Sequence, residues 1–223
     1  MKILTGAVLE KISGGRTAVI NGEAVPFDFC VFTGPSPAFA KLLPAQDSFN
    51  DYAGKLRSIE YLGAACLIFT SDQCLGDFYW VNINEPDAPF LVFLNHTRLV
   101  DKSFYGGKYV YYIGAYLPPD GKIFPLADDK LAKLWFGYLP KLFPEFDAAR
   151  IGERHIFRFR AAQHVVDTSY EEKIPGYQTP LPGVFLANFS QIFPEDRGTN
   201  FAVREGLKIA EMIRQETKIT SPG

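Results

Sequence analysis

Apolar residues in this chain fall mostly into short alternating or continuous runs closed off by glycine, proline and Asn-Gly pairs, and three segments read as helices instead. The first 34 residues predict small strands at Ile3–Ile12, Arg16–Ile20 and Ala24–Phe27, turned by Gly14-Gly15 and Asn21-Gly22. Asn-Gly between β-prone runs is a strong hairpin signal because both residues accept the positive φ of a tight turn. This meander feeds Phe29-Cys30-Val31-Phe32, a continuous apolar run that predicts a strand buried on both faces of a parallel sheet. A helix over Ser36–Leu43 is expected next. From Tyr52 to Thr70 the pattern reads as β again, with strands at Ile59–Tyr61 and Ala64–Phe69. Phe78–Ile83 and Phe90–Leu94 flank a Pro86-Asp87 loop, and Tyr109–Tyr116 is another β-prone run, so a mostly antiparallel sheet with a large aromatic face is predicted. Leu131, Leu134, Trp135, Tyr138, Leu139 and Leu142 recur at helical spacing and predict a helix over Asp128–Leu142 covering one face of that sheet. His155–Arg160 alternates as a half-buried strand, and Ala161–Val166 is expected to continue it. A proline-rich connection, Pro175–Pro182, then leads to a closing strand, Gly183–Asn188, and a closing helix, Phe201–Gln215.

The closing helix carries the first chemical signal. Ala202, Gly206 and Ala210 are four apart, so they share one face and let another backbone or a ligand come close. The polar turn Glu195–Asn200 opens the helix, and its N-terminus carries unpaired N–H groups and partial positive charge directly after Gly198. That arrangement suits an anionic or electron-rich ligand. The plainer alternative is an amphipathic helix whose small residues only pack tightly on a sheet, which leaves the long polar turn unexplained.

Composition narrows the classes. The chain has 223 residues, 47% of them hydrophobic, enough for a core in one or two domains. Its formal charge is −2 and its basic residues are scattered, which argues against nucleic acid as a partner. Cys30, Cys66 and Cys74 are odd in number, lie in or beside apolar runs and have no C-x-x-C spacing, so reduced thiols are expected. No secretory core and no membrane span is readable, and a cytoplasmic location is expected by elimination. The three histidines and three cysteines are dispersed, so no metal site is expected, and no G-x-S-x-G elbow suggests a hydrolase.

The stretches "FDFCVFTGPSPAFAKLLP" and "TPLPGVFLANFSQIFPEDRGTNFAVREGLKIAEMI" resemble the second half of FAD-dependent oxidoreductases of the amine oxidase, phytoene desaturase and protoporphyrinogen oxidase superfamily. Between them, "DFYWVNINEPDAPFLVFLNHTRLVDKSFYGGKYVYYIGAYLP" resembles that superfamily's substrate domain, in a branch related to UDP-galactopyranose mutase-like proteins. The G-x-G-x-x-G cradle with which family members begin is absent, so the resemblance implies a C-terminal portion: a truncated form, a gene fragment or one chain of a split enzyme. The implied fold class is α+β, derived from an α/β fold. A partial FAD-binding domain with a β-meander (1–44 and 175–223) joins a substrate-binding domain (45–174) whose mostly antiparallel sheet is covered by helices.

The resemblance also implies roles. Val8 stands where the family offers a backbone to the adenine ring. Asn188 replaces the aspartate of the family's Gly-Asp strand end and is expected to hydrogen-bond ribityl hydroxyls. Arg197, Gly198, Thr199 and Asn200 match the turn whose N–H groups approach the flavin. The expected activity is hydride removal from a C–N or C–C unit of a small-molecule substrate to FAD, with weak or absent FAD binding by this chain alone and an N-terminal dinucleotide-binding portion as partner. Redox-neutral flavin mutase chemistry is a variant, and a non-catalytic binding module that has lost the nucleotide cradle is the alternative. His96, Arg98, Tyr105, Tyr111 and Gln163 are candidates for substrate binding, against the plainer reading of a hydrogen-bonded strand end, a sheet core and an edge strand. The catalytic residues are not readable.

Overall fold

The computed structural model describes residues 2–220, with side chains described through Thr217. The chain begins with β1 (Leu9–Ser13), β2 (Thr17–Ile20) and β3 (Glu23–Pro26), an antiparallel meander in that order. Asn21 and Gly22 turn β2 into β3 with φ of 50° and 80°, the geometry that favours this pair in hairpins. The first strand starts at Leu9 rather than Ile3. A bend at Thr5-Gly6, with Gly6 at φ 67°, precedes it, and the Val8 backbone closes on the Asn21 turn.

β4 (Cys30–Phe32), α1 (Ser36–Leu42) and α2 (Asn50–Arg57) follow. The helix α2 replaces the β pattern expected from Tyr52. Ala53 and Leu56 recur at helical spacing and pack with Ile12, Phe39 and Val184, which the local composition did not reveal.

The next elements are β5 (Tyr61–Ser71), β6 (Trp80–Asn82), β7 (Val92–Asn95), β8 (Tyr109–Leu117), α3 (Asp128–Leu142) and β9 (Ile151–His164). The strands form one sheet in the order β6-β7-β8-β5-β9, in which β6 with β7, β7 with β8, and β8 with β5 pair antiparallel. Leu131, Trp135 and Leu139 of α3 pack with Leu67, Phe69, Phe93, Tyr111 and Ile113, so one face of the sheet is core. Arg154 and Arg158 on β9 pair with Asp129 and Asp128 in the first turn of α3.

The chain ends with α4 (Tyr170–Lys173), β10 (Val184–Leu186) and α5 (Thr199–Thr220). β10 pairs in parallel with β4, Cys30 opposite Val184 and Phe32 opposite Leu186. The predicted parallel strand is therefore present, but it is not buried on both faces: Val31 is 39% exposed. The fold class is α+β.

Two compact units result, Met1–Glu60 with His164–Gly223, and Tyr61–Gln163. These limits lie inside the expected 45–174 segment. Helix α2 joins the core of the first unit, and the buried Tyr170 of α4 donates its hydroxyl to the Ser190 carbonyl of the same unit at 2.7 Å.

Candidate functional site

In the first unit the small-residue face of α5 does not pack on the sheet. Ala202, Gly206 and Ala210 line an open cleft of about 480 Å³, with Val31 and Thr33 at the end of β4 and Ala187 to Phe189 after β10. A Cβ on Gly206 would have no neighbour within 4 Å. Ala202, which lines this cleft, donates its N–H to the Gly198 carbonyl at 3.0 Å in the first turn of α5. The helix geometry leaves the N–H groups of that turn without intrahelical acceptors and gives the end partial positive charge.

Asn188 lines the same cleft, but its side chain is a clasp. Nδ2 donates to the Gly34 carbonyl at 2.8 Å and to Ser36 Oγ at 3.1 Å, while Oδ1 accepts from Ser190 N at 3.0 Å and Ser190 Oγ at 2.6 Å. Its backbone N–H donates to Gln191 Oε1 at 2.8 Å, closing a capping box over the turn Phe189–Gln191. Both amide hydrogens are thus spent within the unit. On the other wall, the buried carboxylate of Glu205 accepts from the Tyr177 hydroxyl and from Arg204 Nε at 2.8 Å. Burial pushes the Glu205 carboxyl up, but these donors and the Lys208 charge outweigh it and hold it below the usual glutamate value. Burial and the Glu205 carboxylate together push Tyr177 up to about 12.

In the second unit, the sheet face opposite α3 carries Trp80, Leu94, Tyr112 and Ile68 as one cross-strand row, and Asn82, Val92, Gly114 and Cys66 as the next. His96, just past β7, meets Tyr105 at 2.9 Å between Nε2 and the hydroxyl, and its ring lies 5.6 Å from that of Tyr112. Tyr111 points the other way. It is fully buried in the core, donates to the Gln73 carbonyl and accepts from Leu75 N, each at 2.9 Å, and burial pushes its hydroxyl up to about 12. Arg98 is anchored to Asp77 at 2.6 Å, the Gly76 carbonyl at 3.3 Å and Cys74 Sγ at 3.6 Å. Among the described residues no three His, Cys, Asp or Glu side chains gather to hold a metal ion, and no helix is long and apolar enough to cross a membrane.

The profile of the family described as flavin-containing amine oxidoreductase matches residues 2–211. The chain belongs to this family. No functionally curated protein matches it significantly. Among solved structures, the chain is similar to a putative protoporphyrinogen oxidase from Exiguobacterium sp. 255-15, with a TM-score of 0.74 and 16% identity over 94% of the chain and 47% of that protein. It is also similar to a reduced UDP-galactopyranose mutase, with a TM-score of 0.61 and 14% identity over 76% of the chain and 37% of the mutase. An oxidoreductase from Methanosarcina mazei aligns with a TM-score of 0.56 and 16% identity over 82% and 43%. The chain spans less than half the length of each of these structures, and at such identities the likeness is one of fold.

The structure brings Asn188 and Ala202 of α5 to one cleft, whose lining does not include Arg197, Gly198, Thr199 or Asn200, and His96 and Tyr105 to one hydrogen bond. Arg197 and Gly198 are partly buried and Thr199 and Asn200 exposed in the α5 entry turn. Val8 is separate in role. Its N–H donates to Asn21 Oδ1 at 2.8 Å and its carbonyl accepts from Asn21 N at 3.0 Å, so both backbone groups serve the meander. Gln163 sits partly buried near the end of β9. Sequence reasoning missed Ser36, Ser190, Gln191, Tyr177 and Glu205. The Asn-x-x-Gln spacing of Asn188 and Gln191 was a readable capping-box signal for part of this set.

Proposed function

We propose that this chain is the substrate-binding and C-terminal flavin-contacting portion of an FAD-dependent oxidoreductase, completed by a portion that carries the dinucleotide cradle. The observation that carries this reading is the open cleft in the first unit. A helix face of Ala202, Gly206 and Ala210 with no side chain packed on Gly206 is suited to an approaching backbone or cofactor edge. Beside it, β4 has no strand partner among the described residues on the edge away from β10, so a further parallel strand can extend the pair.

The residues fit FAD at one end only. The α5 entry turn, Gly198 to Asn200, offers backbone donors and the partial positive charge of the helix end to an electron-rich ring system, while the Arg197 N–H is donated to Asp196 Oδ1 at 2.8 Å. Asn188 and Val8 have their polar groups engaged within the chain, so their part is to hold the cleft and the meander in shape. When bound, FAD supplies the hydride acceptor. The chain's own residues supply orientation and charge: the start of α5 favours negative charge at the ligand, and the aromatic sheet face of the second unit offers an apolar surface on which a substrate is held away from water.

Reconstitution tests the proposal. Joined to or mixed with a G-x-G-x-x-G-bearing portion encoded beside it, the chain should give the absorbance of bound flavin on titration with FAD; alone it should bind FAD weakly or not at all. Gly198→Leu in the completed protein should weaken flavin retention. A completed, folded protein that stays colourless would sink the proposal and leave the non-catalytic binding module.

A further inference from the structure

The outer face of α3 is grooved. Lys130, Lys133, Leu134, Gly137, Pro140 and Lys141 recur three and four apart along the helix, opposite the buried Leu131, Trp135 and Leu139, and all six are exposed. A depression of about 610 Å³ lies on one side, bounded by Asp87 and Pro89 in the connection from β6 to β7, and a second of about 450 Å³ lies on the other, bounded by Phe146, Ala148 and Arg154. Both reach Lys133 and Gly137, so they meet where the helix carries no side chain. A Cβ on Gly137 would have no neighbour within 4 Å, and Leu134, one turn away, is 41% exposed. Glycine weakens a helix interior relative to alanine, and no contact within this unit requires one here.

The groove is positively charged on a chain whose formal charge is −2. Lys130, Lys133 and Lys141 make no ion pair among the described residues; Lys141 Nζ rests 4.8 Å over the Tyr138 ring, whose hydroxyl donates to Glu85. Two carboxylates line the depressions. Asp129 is bound by Arg154 at 2.6 Å, which cancels both charges and leaves Asp87 alone against the three ammonium groups. An exposed leucine and a bare glycine are thus ringed by uncompensated lysines.

We infer that this groove docks an acidic amphipathic helix of a protein partner, which crosses α3 at Gly137 with an apolar side chain on Leu134 and carboxylates toward Lys130, Lys133 and Lys141. The charge decides the chemistry of the partner: like charge set against the lysines is penalised, and opposite charge fixes the register of docking. The shape decides its form. A flat bilayer gains little from a depression on each side of a glycine, whereas a helix seats a ridge of side chains in such a groove and approaches closely where no Cβ intervenes. The groove belongs wholly to the second unit, so this docking is independent of flavin binding.

Fluorescence anisotropy with the 223-residue chain tests this, using a labelled helical peptide of about 18 residues with leucines on one face and glutamates beside them. The same peptide with glutamine for every glutamate, and phosphatidylserine vesicles, serve as the other probes. The glutamate peptide should bind with a Kd of about 100 μM or tighter, about tenfold tighter than the glutamine peptide, and should weaken as salt rises from about 50 to about 300 mM. Gly137→Leu, which fills the crossing point, and the pair Lys130→Glu with Lys133→Glu should each weaken binding about tenfold or more. All three positions are exposed, and retained far-UV circular dichroism checks that the variants fold. Lys55→Glu, on α2 in the first unit, should leave binding unchanged. Absent binding of the glutamate peptide, equal binding of the glutamine peptide, indifference to Gly137→Leu or to the lysine pair, or capture by vesicles without capture of the peptide would overturn the inference.

Discussion

At the end of β10 a single amide holds two segments together, since Asn188 bonds to Gly34 and Ser36 around the start of α1 and to Ser190 in its own turn. Asn188→Ala takes a partner from the Gly34 carbonyl and the Ser190 N–H, while the Ser36 and Ser190 hydroxyls keep their mutual bond at 2.9 Å, and is expected to cost about 2–3 kcal/mol, read as a lower urea midpoint with unchanged slope. Glu205 makes a pH-dependent contribution. Its carboxyl is held below the usual glutamate value in the folded chain, so the stability it adds is present above the unfolded-state pKa and is lost as pH falls through the lower folded value. Denaturation midpoints of the parent and Glu205→Gln should therefore differ most at neutral pH and converge in acid; a constant difference from pH 7 to 3 would refute this. Neither role was legible. The type and place of Asn188 allow it to meet ribityl hydroxyls, and only the fold shows that Gly34 and Ser36 occupy its donors.

Elements set by neighbours in the chain are legible in the sequence, and those set by distant contacts are not. The meander turns follow from residues that accept positive φ, and α3 follows from a six-residue apolar stripe, both local properties. Helix α2 escaped because its apolar residues, Ala53 and Leu56, are few and its partners Phe39 and Val184 are distant in the chain. On β8, Tyr111 and Tyr112 are indistinguishable by composition. The strand sends one into the core with α3 and the other to the opposite face, and parity is settled by which face α3 covers. Helix α5 offers a test at this scale. Gly206 is exposed mid-helix with no neighbour for a Cβ, so Gly206→Ala should stabilise the chain by about 0.5–1 kcal/mol, raising its thermal midpoint. The same variant in the completed protein should not stabilise if another element rests on that face; an equal gain in both would mean the face stays open.

At the scale of the whole molecule, the chain is an amine oxidoreductase family member spanning less than half the length of its structural relatives. A completing portion that binds only the folded chain adds stability by mass action, so the denaturation midpoint of the first unit should rise with its concentration and rise again with FAD. No rise with either would argue against the cleft as the joining surface. The sequence by itself determined the turns, the strand and helix periods, the small-residue stripe of α5 and the family resemblance, because each depends on neighbours a few residues apart. The tertiary structure alone decided that Gly206 faces open space, that Asn188 and Val8 spend their polar groups internally, and that Tyr111 and Tyr112 lie on opposite faces of the sheet. Those outcomes depend on contacts between β4 and β10, or between β9 and α3, whose geometry is set only when distant segments pack together.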